Sequence, residues 1–517
     1  MSRRLLAIDV GTQSARALVF DEAGELLAKV QVPIEPYFSS QPGWAEQDFS
    51  VYWNAVVKAC QGLWSEGRVS PDQVAGLSLT TQRATMFCVD ADGEPLRSGI
   101  VWLDQRKCSA PPALGPLWSG IFRLVGAADL IEHFQHEAEA NWLAQHQPEV
   151  WSKTAKYLFL SGLLTHRLVG EYVDSVGCQV GYVPFDYRRL DWAPASDFKW
   201  RALPVRREQL PDLVPPSETL GHLQASAARA LGLAAGLPVI AAAADKACEV
   251  LGSGALEPDV AALSFGTTAT INTSQSRYLE VQRMLPPYPA AQRGQFNTEI
   301  QIYRGFWMVS WFKQEFAEKE RRMAASQGVA AEALFDELIR DIPPGSMGLT
   351  LQPYWTPGVR HPGPEAKGAI IGFGDVHKRG HFYRAILEGL AYGLRAGAET
   401  IERKTGKPLR RVVVAGGGSQ SDVAMQITAD VFKLPTSRPH VYETSGLGAA
   451  INAAVGLGMH ADYAAAVAAM TRSGQCFDPN AEASRIYDAL YREVYSDLYG
   501  RLKPLYERIR RITGYPA

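Results

Sequence analysis

Three short stretches of the chain place glycine beside small hydroxyl or amide side chains in a way that suits phosphate oxygens: Asp9-Val10-Gly11-Thr12-Gln13-Ser14, Gly266-Thr267-Thr268 and Gly416-Gly417-Gly418-Ser419. Backbone N–H groups exposed in a tight turn form an anion-binding concavity, and glycine lets the main chain come close to it. In the first stretch Asp9 ends an apolar run and suits a hydrated divalent cation such as Mg²⁺, Gly11 admits a phosphate oxygen and Thr12 adds a hydroxyl. The second stretch offers the same chemistry from an opposite wall. The third lies between a strand pattern and a helix pattern, where a planar base or a phosphate is approached closely. Taken singly, each is also the sequence of a bare turn. Asp245 follows the apolar run 238–241. A carboxylate at the end of a buried strand, facing a cleft, accepts the proton of an attacking hydroxyl; the competing reading is a helix N-cap before Lys246.

Two familiar nucleotide motifs are missing. The run Thr405-Gly406-Lys407 is followed by Pro408 and lacks the upstream glycine of a P-loop. The triple glycine at 416–418 has Ser421 where a dinucleotide fingerprint needs its last glycine, and no acidic residue closes a following strand at the expected offset.

The elements that must carry these residues read as follows. Residues 5–10, 14–20 and 25–32 form three short strands of an antiparallel meander, with turns at 11–13 and 21–24. Asp48 is placed to cap a helix through Trp64, where Val56, Val57, Cys60, Leu63 and Trp64 recur at helical spacing. Strands are expected at 74–79 and 86–89. Residues 118–237 read as helices and loops with proline punctuation. Order returns with strands at 238–241, 260–264 and 269–273, a strand at 411–415 and a helix at 422–432. The chain closes on a long helix with a stripe of Tyr487, Tyr491, Tyr495, Tyr499 and Leu502, a packing face expected to kink at Pro504. The segment LLAIDVGTQSARALVF is echoed by VAALSFGTTATINTS, each a strand, a Gly-Thr turn and a second strand. A repeat at so long a spacing implies two related α/β domains with a cleft between them, not a solenoid. The expected division is 1–248 and 249–517.

A chain of 517 residues has length for two or three domains. Its 52 basic and 54 acidic residues nearly balance, so no positive field points to nucleic acid or a membrane surface, and a small-molecule partner fits better. The N-terminal apolar run is too short for a signal peptide, and no apolar run approaches the roughly 20 residues that span a bilayer. A cytoplasmic protein is expected. The six cysteines lack metal-site or disulfide spacing and read as reduced packing residues.

Taken together and in order, the motifs are specific. The chain resembles the FGGY family of carbohydrate kinases, within the actin-like (ribonuclease H-like) ATPase fold, from Leu5 to about Gly456. The resemblance is carried by AIDVGTQSARALVFD, GWAEQD at 43–48, TTQRAT at 80–85, VWLDQR at 101–106, PVIAAAADKACEVLGSG at 238–254, LSFGTT at 263–268, RAILEGLAYGLR at 384–395, AGGGSQSDVAMQITADVF at 415–432 and ETSGLGAA at 443–450. It implies ATP and Mg²⁺ as cofactors, with Asp9, Gly11, Thr12 and Gln13 in the first phosphate loop, and Gly266 and Thr267 in the second. It further implies Gly417, Gly418 and Ser419 at the adenosine, Asp245 as catalytic base and, with Asp9, metal ligand, and Gln82, Arg83, Trp102 and Asp104 at the sugar or polyol. A homodimer is implied as well.

This sequence departs from its relatives at the acceptor. The pair Gln82-Arg83 is glycerol-kinase-like, but Ala84 stands where glycerol kinases have Glu, and xylulokinases carry Met-His after the Gln. Glu139 stands where the family usually has Lys. The expected activity is phosphorylation of a ketose, polyol or sugar acid. The rival is an actin-like nucleotide-binding regulator or pseudokinase, which would have little need for Asp9, Asp245 and both Gly-Thr loops together. A sugar-responsive transcription factor is disfavoured, because no DNA-binding segment precedes the first strand.

Overall fold

The computed structural model describes residues 3–282, 285–358 and 362–515. The first meander forms as read, as strands Arg4–Val10, Ser14–Phe20 and Leu26–Pro33, and Val74–Thr81 and Pro238–Ala241 then add in parallel on the other side of Arg4–Val10. Thr219–His222 completes this six-stranded sheet. A second sheet repeats the plan. Val260–Phe265, Ala269–Gln275 and Phe296–Ile302 make an antiparallel meander, and Arg411–Ala415 and Thr436–Pro439 continue in parallel from its first strand. The duplicated α/β unit expected from the two Gly-Thr turns is present in both halves.

Both faces of the first sheet are buried, which is why its strands read as near-continuous apolar runs. Leu6, Ile8 and Val10 point to one face, under the helix Phe49–Ser65, which presents Tyr52, Val56, Ala59 and Leu63. Leu5, Ala7, Leu18 and Phe20 point to the other, into a cluster with Leu447, Ala450, Ile451 and Ala454 of the helix Thr444–Gly456. That helix comes late in the chain yet packs on the first sheet. Ser78 of the first sheet donates a buried hydrogen bond of 2.6 Å to its Ala449 carbonyl. The helix Asp245–Gly252 crosses it, and its Val250 packs on Val260, Ala262 and Val413 of the second sheet. The crossing is backbone on backbone: a Cβ at Gly252 would lie 2.0 Å from the Thr444 carbonyl oxygen, and one at Gly448 2.0 Å from that of Cys248.

Two expectations change in detail. The helix after Asp48 starts at Phe49, but Asp48 makes no capping bond; its carboxylate accepts from the Ser98 hydroxyl instead. The tyrosine stripe is buried as a packing face, with Tyr487, Tyr491 and Tyr495 around Tyr392, and the irregularity falls at the π-helical turn Tyr491–Tyr495, ahead of Pro504, which sits inside the helix Ser496–Thr513. Five cysteines are buried, Cys476 is exposed, and none is bonded to another. Among the described residues no helix is long and apolar enough to cross a membrane.

Candidate active site

Asp9 sits at the end of the central strand of the first sheet, opposite Arg16, whose Nη1 donates to its carboxylate at 2.9 Å. Burial pushes the Asp9 carboxyl up to about 6 against the pull of Arg16, and the negative charge of Asp245 adds to the rise. A buried carboxylate whose charge is disfavoured by burial and by a second carboxylate nearby fits a divalent cation, which would hold it in the ionised form. Among the described residues no set of three or more His, Cys, Asp or Glu converges as a metal cage. A Mg²⁺ ion needs no such cage, because one or two carboxylates plus substrate phosphates and waters complete its shell.

Asp245 is the first residue of the helix Asp245–Gly252, with Ala244 at the capping position. Its Oδ1 accepts from the backbone N–H of Lys246 at 2.7 Å. Lys246 was read only as the residue after a possible cap, yet its ammonium reaches to the second Gly-Thr loop, donating to Ser264 at 2.6 Å and Glu249 at 3.3 Å. A Cβ on Gly266 would lie 4.0 Å from that nitrogen. The helix start therefore puts a carboxylate toward the first loop and a cation toward the second.

The first loop is tied to the acceptor stretch. Thr12 donates to the Gln82 side-chain carbonyl at 2.7 Å and accepts from the Trp102 indole N–H at 3.0 Å, while Gln82 donates to the Tyr52 hydroxyl at 3.0 Å. Trp102 is 41% exposed, so a ring face is available as a wall. The Gln13 carbonyl accepts from Ile34 N, and its side chain is exposed. In the second loop the Gly266 and Thr267 carbonyls accept from Phe306 N and Trp307 N, which anchors the turn to the helix Trp307–Phe316. The third loop divides its residues. Gly417 faces open space, Ser419 is buried and donates to the Gly416 carbonyl at 2.7 Å, and Gly418 is required by packing, since a Cβ there would meet Phe306 at 2.4 Å where that ring stacks on Phe265.

Arg83 and Asp104 part company. Arg83 reaches across to the second half of the chain, donating to both oxygens of Glu299 at 3.0 and 3.3 Å, with its guanidinium 5.1 Å from the Tyr288 ring centroid. It lines a small, narrow pocket whose other walls include Gly177, Val180, Ala244, Lys246, Asn272, Tyr288, Asn297 and Glu299. Ala244 and Lys246 flank Asp245, so the pocket opens beside the carboxylate. Asp104, expected on the same substrate, faces elsewhere: its oxygens accept from Ala45 N, Arg106 N, Arg106 Nε and Arg106 Nη2 at 2.6–2.9 Å. Arg106 also binds Glu46 at 2.9 Å and packs against the rings of Trp44 and Trp142, 3.9 and 4.6 Å from their centroids; the two rings themselves meet edge to face at 5.2 Å. Glu139 is drawn into this cluster. Burial, with Asp104 nearby, pushes its carboxyl up to about 8, and one of its oxygens has no hydrogen-bond partner.

Sequence reading missed Glu299, Asn272, Asn297 and Tyr288 because they sit on strands that pair with one another and carry no motif. Register alone brings them together, Asn272 opposite Glu299 and Tyr288 opposite Asn297. With its amide turned, Asn272 donates to Glu299 at 3.2 Å.

Comparison with known proteins bears on the whole chain. Residues 4–252 match the model of the N-terminal domain of the FGGY family of carbohydrate kinases, and residues 261–457 match that of the C-terminal domain. An uncharacterized sugar kinase of Escherichia coli strain K12, YgcE, is 29% identical over 96% of this chain and 94% of its own. A xylulose kinase of Staphylococcus epidermidis strain ATCC 12228 is 26% identical over 99% of each chain. The crystal structure of Plasmodium falciparum glycerol kinase with ADP superposes with a TM-score of 0.79 at 18% identity, covering 96% of this chain and 98% of that one, which establishes the shared two-domain α/β fold. With both domain models matched in order along its length, the chain belongs to the FGGY family of carbohydrate kinases.

Proposed function

We propose that this carbohydrate kinase transfers the γ-phosphoryl group of ATP to a hydroxyl of a ketose, polyol or sugar acid bound against Arg83, with Asp245 as the general base. The observation that carries the reading is the position of Asp245, at a helix start beside both Asp9 and the acceptor pocket, with Lys246 bonded to Ser264 on the strand that leads into the second loop. Asp245 Oδ2 takes the proton of the substrate hydroxyl as that oxygen bonds to the γ-phosphorus and the bond to the β-phosphate oxygen breaks, releasing ADP. Gly11, Thr12, Gln13, Gly266 and Thr267 cradle the phosphates with backbone and hydroxyl donors. Gly417, Gly418 and Ser419 shape the adenosine wall. Asp9 and Asp245 would hold Mg²⁺, which neutralises charge on the phosphates. Gln82 and Trp102 position the acceptor, and Asp104 acts through Arg106. Residues 1–248 and 249–517 form the two working halves of a cytoplasmic, homodimeric enzyme.

Asp245→Asn tests the assignment, because it keeps shape and cannot take a proton at neutral pH. Phosphorylation should fall by about 10²–10⁴-fold in kcat, with affinity for Mg·ATP by calorimetry little changed. Asn caps a helix about as well as Asp, so a purely structural Asp245 would leave rate and Tm near wild type. A folded, ATP-binding Asp245→Asn protein with near-wild-type turnover would remove it from the mechanism.

A further inference from the structure

We propose that Glu299, on the second half of the chain, makes the acceptor pocket selective for neutral polyhydroxy substrates, ketoses or polyols, and excludes sugar acids. The proposal rests on the kinase reading above and narrows its substrate class. It starts from the charges on the pocket wall. The pocket has two cations, and each already has a carboxylate: Arg83 with Glu299 at 3.0 Å and Lys246 with Glu249 at 3.3 Å. Asp245 lies close enough to act electrostatically on both cations. Among the described residues, no cation of the wall is left over for a substrate carboxylate.

A carboxylate that sought Arg83 would have to displace Glu299, whose side chain is 4% exposed, and leave that charge unpaired in a closed site. Built-in repulsion of this kind discriminates between ligands as effectively as attraction does. A hydroxyl group meets no such conflict, because its oxygen accepts from the guanidinium while its hydrogen donates to the Glu299 carboxylate. The remaining polar groups point the same way. Asn297 Oδ1 is buried on the pocket wall without a hydrogen-bond partner, an acceptor that calls for a donor such as a sugar hydroxyl and that a carboxylate cannot satisfy. Asn272 turns its amide N–H toward Glu299, which leaves the ion pair braced within one half and the arginine presented from the other.

The experiment is ADP release measured on the full chain with D-xylulose, D-ribulose, xylitol and glycerol against D-gluconate and D-xylonate. Wild type should use its best neutral substrate with a kcat/KM about 100-fold or more above either aldonate. Glu299→Gln should move that ratio toward the aldonates by about tenfold or more, while Glu299→Asp, which keeps the charge, should hold it near wild type. A merely structural Glu299 would lower every kcat/KM in proportion, and that result, or an aldonate preferred by wild type, overturns the proposal. If no panel member is phosphorylated, the kinase reading fails, and calorimetric binding then decides specificity alone: binding of D-xylulose or xylitol with none of D-gluconate supports it, and equal or tighter binding of D-gluconate overturns it.

Discussion

Two arginines from neighbouring motifs illustrate how the same side chain is put to opposite uses. The Arg106 side chain is 2% exposed, packed against Trp44 and Trp142 and bonded to Asp104 and Glu46, all from the first half of the chain. Arg83 is partly exposed, lies on a pocket wall and has its carboxylate partner on the other half. A guanidinium buried against two indoles and bonded to two carboxylates of one core fixes backbone geometry, and has little left to offer a ligand. One that holds a single carboxylate across an opening can exchange that partner for hydroxyls. The difference teaches that a family signature mixes framework with working residues, and that hydrogen-bond accounting separates them.

Breaking the framework side should give the largest effect. Arg106→Met leaves Asp104 buried without its cation, while Glu46 keeps Arg97, and urea unfolding should show a loss of about 3–5 kcal/mol. A variant of unchanged stability would make Arg106 a ligand-facing group after all. On the working side, Arg83→Gln with Glu299→Gln removes both charges together and leaves neither orphaned. Its stability should stay within about 1 kcal/mol of wild type. Its kcat/KM for the best neutral substrate should fall about 10- to 100-fold, the scale of losing charge-assisted hydrogen bonds worth roughly 1.5–3 kcal/mol.

Asp104 sharpens the contrast because the family resemblance put it with Arg83 and its contacts put it with Arg106. Asp104→Asn should cost about 1–3 kcal/mol of stability while KM, measured on folded protein, stays near wild type. A raised KM at full stability would return it to the substrate. Glu139 gives the smallest effect. Its carboxyl, pushed up to about 8 by burial, binds a proton more tightly in the folded chain than in the unfolded one. It therefore subtracts stability progressively as the pH rises from the ordinary carboxylate range toward 8. Glu139→Gln should raise Tm by a few degrees, about 2–4 °C, at pH 9 and by nothing at pH 4. An equal shift at both pH values would refute the titration argument.

What was legible in the sequence was what is local. Alternating and continuous apolar runs gave the strands of both meanders, and the two Gly-Thr turns betrayed the duplication because each turn type is set within a few residues. Asp9, Asp245 and the acceptor stretch stood out through motifs in order. Arg106 did not, because Trp44 and Glu46 come from one distant stretch and Trp142 from another, and only the fold brings them to one guanidinium. Glu299 and Asn297 lie in the strand Phe296–Ile302, where three consecutive polar residues carry no motif, and their function depends on which face the register turns inward. Asp48 misled for a tertiary reason: it has the right type and place for a cap, but Ser98, fifty residues on, offers its carboxylate a partner from just ahead of the strand Gly99–Ile100.

The helix Thr444–Gly456 has a consequence for the ribosome. It covers one face of the first sheet, filling the space over Leu5, Ala7, Leu18 and Phe20, yet it is encoded near the end of the chain. Between completion of the strand Pro238–Ala241 and arrival of this cover, a nascent chain growing at about 5–20 residues per second spends on the order of 10–40 s with that apolar face uncovered. The first half cannot reach its final packing while tethered alone, so its folding is completed only as the second half is made, and a trigger-factor-like holdase has a defined surface and a defined interval in which to act.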